Sequence, residues 1–199
     1  MKVWVSVLFL LTSLLFSCQK ESGHASTSPK DLPKDIYANG LDFIKLGDTL
    51  SNFDLNEFSI DRVEDSLEER GGYKWLTRTV HLDSGVLVLE GNFIDERQFN
   101  DLQLEFSTLN RLRVGSPHFQ TAEGVSVGKS MADLLAANEG KDFRVTVLPS
   151  NGLVDLEDPE GHIHYLIEAD QTVFSVILEQ ANRLSVIPPE NLIKYIVVM

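Results

Sequence analysis

The sequence predicts an α+β fold, a mostly antiparallel sheet carrying one or two short helices. Three observations lead there. Apolar and polar residues alternate over short stretches, as Leu102, Leu104 and Phe106 do against Gln103, Glu105 and Ser107, the period-two signature of a half-buried strand. Tight-turn residues separate many of these stretches, among them Asp83-Ser84-Gly85, Ser150-Asn151-Gly152 and Asp158-Pro159-Glu160-Gly161, so neighbouring strands can fold back antiparallel. Helix signals are few, and the strand–helix–strand alternation of a parallel sheet is missing.

Taken in order, Leu41, Phe43 and Leu46 predict a short strand before Gly47, and Asp48-Thr49-Leu50 a turn into a short helical segment with Thr49 as N-cap. Phe58 to Glu69 fits either state, because Ile60, Val63 and Leu67 suit a helix while Phe58, Ile60 and Val63 also allow a strand. Tyr73 to Leu82 is rich in aromatic and β-branched residues and reads as a strand, paired through Asp83-Ser84-Gly85 with Val86 to Phe93. Leu102 to Phe106 and Arg111 to Val114 follow as strands. Val125 and Val127 alternate before Gly128, and Ser130-Met131-Ala132-Asp133 resembles a capping box opening a helix whose apolar face is Met131, Leu134 and Leu135. A meander of Phe143 to Leu148, Leu153 to Leu156 and Ile163 to Ile167 comes next. Val173 to Leu178 and Ile193 to Val198 read as the last strands.

Two internal matches point to tandem α+β repeats over residues 37–120 and 121–199. Ile44 to Leu50 parallels Val125 to Met131 at an offset of 81, and Asn110-Arg111-Leu112-Arg113-Val114 parallels Asn182-Arg183-Leu184-Ser185-Val186 at an offset of 72. The second offset also places Val125 on Val197.

The N-terminus carries its own signal. Lys2 precedes the apolar run Val3 to Phe16, which falls short of the ~20 residues a spanning helix needs. Leu15-Phe16-Ser17-Cys18 at its end resembles a bacterial lipobox. The resemblance implies that residues 1–17 are a signal peptide and that Cys18 is lipidated. The chain's one cysteine stands at the position such a lipoprotein acylates, so no intramolecular disulfide and no cysteine-ligated zinc are expected. Gln19, in place of the aspartate that retains lipoproteins in the inner membrane, implies an outer-membrane location facing periplasm or surface. Residues 18–36 read as a polar tether. Its segment Gln19 to Asp35 holds one aliphatic residue, Leu32, too little to offset the entropy of ordering, and spans ~55–60 Å when extended.

Removing residues 1–17 takes away one lysine and no acid, which moves the net charge from −13 to −14. That balance argues against nucleic acid and against anionic lipid headgroups as partners. The order of strand, glycine, small polar cap, short helix and meander over Gly124 to Ile167 resembles the BamE (SmpA-type) outer-membrane assembly lipoproteins. Those proteins place two helices before the meander and this segment shows one, so no residue role is carried over.

Four motifs invite chemistry. Gly124-Val125-Ser126-Val127-Gly128 matches G-x-S-x-G, and Asp155 with His162 or His164 completes the order serine, acid, base. The motif works when its serine sits on a sharp strand-to-helix turn over a parallel sheet, whereas Ser126 falls inside an alternation four residues before the helix cap. Gly128-Lys129-Ser130 imitates the end of a phosphate loop, but Glu123 stands where the first glycine belongs. His162 and His164 have the two-apart spacing of a strand-borne zinc pair, with His81, His118 or an acidic residue as a third ligand. Since Ile163, Tyr165 and Ile167 claim the core face, both histidines are expected in solvent and no metal is expected. Asp155, Glu157, Asp158 and Glu160 cluster at one turn without the glycine and bidentate acid of a calcium loop. Trp75 and Tyr73 are expected in the core rather than on a ligand platform. The expectation is therefore a non-catalytic binding or assembly module without cofactor, anchored through Cys18, with an envelope protein or glycan as partner. The alternative is a metal-assisted or serine hydrolase using Ser126, Asp155, His162 and His164.

Overall fold

The computed structural model describes residues 35–50, 59–70, 73–93, 107–179 and 184–199. The strands are β1 (Asp35–Tyr37), β2 (Gly40–Leu41), β3 (Ile44–Lys45), β4 (Ile60–Arg70), β5 (Tyr73–Leu82), β6 (Gly85–Phe93), β7 (Ser107–Val114), β8 (Gln120–Thr121), β9 (Arg144–Leu148), β10 (Leu153–Glu157), β11 (Ile163–Glu168) and β12 (Ile193–Val198). Among the described residues, helices α1 (Met131–Ala137) and α2 (Gln171–Glu179) and the 3-10 turns Pro149–Asn151 and Leu184–Val186 accompany them. The fold is α+β and its main sheet is antiparallel throughout. That sheet has eight strands in the order β4-β5-β6-β7-β12-β11-β10-β9, and a smaller one runs β3-β2-β1-β8.

Register carries the alternation of the sequence across the whole main sheet. One row of directly opposed residues reads Val63, Val80, Leu87, Val114, Ile196, Tyr165, Leu156 and Val145. The next row, on the far face, reads Glu64, Thr79, Val88, Arg113, Val197, His164, Glu157 and Arg144. A slip of one residue in any strand would exchange the rows, so burial of the first fixes the pairing. The apolar row joins one core cluster with Ile36, Leu41 and Ile44 of the small sheet, Met131 and Leu134 of α1, and Phe174 and Ile177 of α2.

The main sheet consists of two four-stranded meanders joined side by side. β7 ends the first, β12 ends the second, and their seam is three residue pairs long, Val114 with Ile196, Arg113 with Val197 and Leu112 with Val198. Each of these two strands receives an earlier glycine turn in the same way. Gly47 donates its N–H to Leu109 O at 2.8 Å while Leu109 donates to Asp48 O at 2.9 Å. Gly128 donates to Ile193 O at 2.9 Å while Ile193 donates to Lys129 O at 2.9 Å. Both glycines are left-handed, with φ of 91° and 84°, a conformation open to glycine at little cost. The two segments that match at offset 81 thus dock on their strands in the same way. The segments that match at offset 72 differ: Asn110 to Val114 is strand, whereas Leu184–Val186 is a 3-10 turn.

Several expectations are corrected. Val173 to Leu178, read as a strand, lies in α2. Asp170 caps it, accepting the Val173 N–H at 3.0 Å, and Val173, Phe174 and Ile177 bury at helical spacing. Phe58 to Glu69 resolves as strand β4 from Ile60 onward. Leu41 to Leu46 forms two two-residue strands rather than one. Trp75 is half-buried on the far face, alternating with the fully buried Leu76. The capping box forms as expected: the Ser130 hydroxyl accepts the Asp133 N–H at 3.1 Å, and Asp133 Oδ2 accepts the Ser130 N–H at 3.0 Å. The helical segment expected after Thr49 beyond Leu50, the strand expected at Leu102 to Phe106, and Cys18 with its signal peptide and the tether up to residue 34 lie outside the described residues, whereas Asp35 and Ile36, read as the end of the tether, belong to β1, with Ile36 buried in the core.

Candidate functional site

The four residues singled out for chemistry fall in three places. Asp155 and His164 meet on the far face of the main sheet, where His164 Nδ1 lies 3.0 Å from Asp155 Oδ1 and 3.1 Å from Oδ2. His164 is only 5% exposed, which corrects the expectation that it faces solvent; its neighbour across the sheet, Val197, is equally buried. His162 precedes β11 and is exposed, and its N–H is tied to Asp158 Oδ1 at 2.8 Å. The two imidazoles therefore occupy different environments rather than one strand face. Ser126 sits on another segment, bridged antiparallel to Gln120. Among the described residues its hydroxyl makes no hydrogen bond to His162 or His164, and no three His, Cys, Asp or Glu side chains converge as a metal site would require.

The Asp155 carboxylate holds the His164 imidazolium and raises its pKa above the ordinary histidine value, against the opposing effect of burial, with Glu157 and Asp158 adding to the rise. A raised folded-state pKa contributes stability that is complete below the unfolded value of about 6.5 and is lost as pH climbs through the folded value. Melting temperature is expected to fall as pH rises from about 6.5 toward the folded-state value. His164→Asn should flatten that slope in a thermal melt series. An unchanged slope would mean that another group carries it.

A concave site lies elsewhere, between the small sheet and the tip of the β10–β11 hairpin. β1 pairs parallel with β8, Ile36 opposite Thr121, which brings β1 beside the turn after Thr121. There Gly124, at φ 78°, donates to Thr121 O at 2.8 Å and closes the loop that presents Ala122 and Glu123. Opposite stands the Asp158-Pro159-Glu160-Gly161 turn. Its Gly161 N–H reaches Asp158 O at 3.0 Å, and Asp158 Oδ1 accepts from both His162 N and Ile163 N, at 2.8 and 3.1 Å. The cleft between them measures about 450 Å³ and is floored by Ile36, Ile163 and Tyr165. Phe143 meets Tyr165 edge-on at 5.9 Å and steadies the floor. Burial pushes the Tyr165 hydroxyl up to about 12, so it stays neutral at physiological pH. On the rim Lys141 Nζ lies 2.6 Å from Glu123 Oε1, and this bond holds the Glu123 carboxyl below its usual range. Asp158 and Glu160 supply further negative charge.

No protein-family model matches the sequence, and no curated protein does. The structure of an uncharacterized Escherichia coli protein, YfeY, is similar in fold. Its TM-score is 0.53 at 14% identity, over 83% of this chain and 97% of that one. At that identity the likeness speaks for the fold alone.

The sequence pointed to the acidic turn Asp155 to Glu160 but not to the cleft that turn helps to enclose. Much of the lining comes from Ile36 to Ala38, more than a hundred positions earlier, or from an inconspicuous Ala122-Glu123 loop. The clue was the pairing of β1 with β8, a two-residue contact with no periodicity to read. Chemically the cleft offers an apolar floor, a positioned carboxylate rim and one ammonium group already engaged with Glu123.

Proposed function

We propose that this chain is a membrane-anchored envelope lipoprotein, held by an acylated Cys18, whose folded domain is a non-catalytic binding or assembly module built from two tandem α+β copies. The observation that carries the binding reading is the cleft of about 450 Å³, a size in the range of roughly 300–1,000 Å³ typical of ligand sites, with an apolar floor and few polar groups at its rim. The equal docking of Gly47 on β7 and Gly128 on β12 supports the duplication. A hydrolase reading has the Asp155–His164 pair in its favour, yet that imidazole is buried and the candidate nucleophile Ser126 stands on a separate segment.

The test uses a photoreactive residue placed at Glu160, on the cleft rim, or at Thr146, exposed on β9 of the far face, in the acylated full-length protein within intact envelopes. A discrete adduct from position 160 that is absent from position 146 and reduced in Cys18→Ala is the expected result. Equal, diffuse labelling from both positions would remove the cleft from the proposal. Palmitate labelling lost in Cys18→Ala tests the anchor separately.

A further inference from the structure

Resting on that binding reading, we infer that the cleft accepts a basic side chain from a partner polypeptide, a lysine or arginine whose aliphatic stem lies on the apolar floor and whose charge meets the Asp158–Glu160 turn. The sign follows from which charges are already engaged. Glu123 and Lys141 neutralise each other at 2.6 Å. Asp158 and Glu160 line the same cavity, and among the described residues neither makes an ion pair. An anionic ligand would face these two carboxylates, whereas a cation would gain from both, and the −13 net charge of the chain steers cations toward it.

The shape follows from the floor. Ile36 and Tyr165, each 2% exposed, lie beneath the cleft, with the uncompensated Asp158 and Glu160 on one wall and the mutually neutralised Glu123–Lys141 pair on the other. A long basic side chain has the matching division, burying its methylenes while keeping its charged head wet. Tyr37, at 40% exposure, and the exposed Pro159 extend the apolar surface past the opening, where residues flanking that side chain would rest. That surround favours a polypeptide over a free amine.

The experiment is an amide NMR titration of the full-length chain in nonionic detergent with acetyl-Ala-Lys-Ala-amide, using acetyl-Ala-norleucine-Ala-amide as the neutral partner of equal stem. The lysine peptide is expected to shift the amides of Ile36, Ala122, Glu160 and Ile163 saturably. The norleucine peptide, and the lysine peptide on Glu160→Gln, should bind about fivefold more weakly, and raising salt from about 0.05 to 0.5 M should weaken the lysine peptide further. Equal binding of the two peptides would overturn the charge assignment while leaving the cleft as a binding site. Absence of cleft shifts with the lysine peptide would overturn the inference outright, and the crosslink from position 160 would then decide the broader reading independently.

Discussion

Gly85→Ala is expected to cost about 4 kcal/mol, enough to lower the melting temperature by roughly 8–16 °C in a domain of this size. Gly85 opens β6 immediately after the Asp83-Ser84 turn, paired with Leu82. Its φ of 149° is a region that side-chain-bearing residues rarely enter. There is also no room: an added Cβ would lie 2.3 Å from Gly115 O and 2.8 Å from Ser116 Cα, both backbone atoms that cannot swing aside. Gly115 is fixed in turn, donating to Val86 O at 2.8 Å beneath the Tyr195 ring. Strain and overlap therefore add. Thermal or chemical denaturation of Gly85→Ala, with Gly124→Ala as comparison, measures the difference. Gly124 also has positive φ but nothing within 4 Å of its would-be Cβ, so it should lose only about 1 kcal/mol. Equal losses at the two positions would show that the close approach contributes nothing.

The second large effect is expected at Arg111. Glu90 lies on the far face of the main sheet and is 1% exposed, with Arg111 Nε 2.5 Å and Arg113 Nη2 3.5 Å from its Oε2. Arg113 stacks over Tyr195 at 5.4 Å, which leaves Arg111 as the closer partner. Arg111→Ala takes the nearer of these two guanidinium groups away from a buried carboxylate and should cost about 3 kcal/mol. Glu90→Gln should be milder, near 1 kcal/mol, because both guanidinium groups are about a third exposed and can turn toward water. The ordering of the two losses is the informative readout. Were Glu90→Gln the costlier change, the arginines rather than the carboxylate would be the groups that need company.

Where the fold was legible from the sequence, the reason was local. The Asp83-Ser84-Gly85 and Asp158 to Gly161 turns, the Ser130 capping box and the β-rich run of Ile193 to Val198 each involve neighbours in the chain, and each stands in the structure as expected. Val173 to Leu178 misled because a run of β-branched and aromatic residues suits both states, and the deciding feature, the Asp170 side chain on the Val173 amide, lies outside the run. Ile60 to Arg70 stayed open for the same cause, its strand state being settled by ten residue pairs with β5. His164 illustrates a different limit. Placing Ile163, Tyr165 and Ile167 on the core face was right: Tyr165 and Ile167 are buried, and Ile163 is partly buried against the core. It did not follow that the opposite face is wet, since burial there depends on strands more than twenty residues away. The cleft was beyond reach for the same reason.

The narrow seam between β7 and β12 bears on how this chain reaches its native state. β12 follows every other strand of the main sheet in sequence, yet it lies in the middle of it, between β7 and β11. The first meander can form early from hairpins of low sequence separation, but its β7 edge has to wait roughly eighty residues for its neighbour, and β11 waits too. Until then two strands in the interior of the final sheet present open backbone edges, the geometry that invites pairing with other chains. Late, long-range closure slows folding, since loop entropy is lost before the contacts that repay it are made. Synthesis and delivery of Ile193 to Val198 thus act as the gate on productive folding, and a chain cut short before that strand is expected to aggregate rather than to fold by halves.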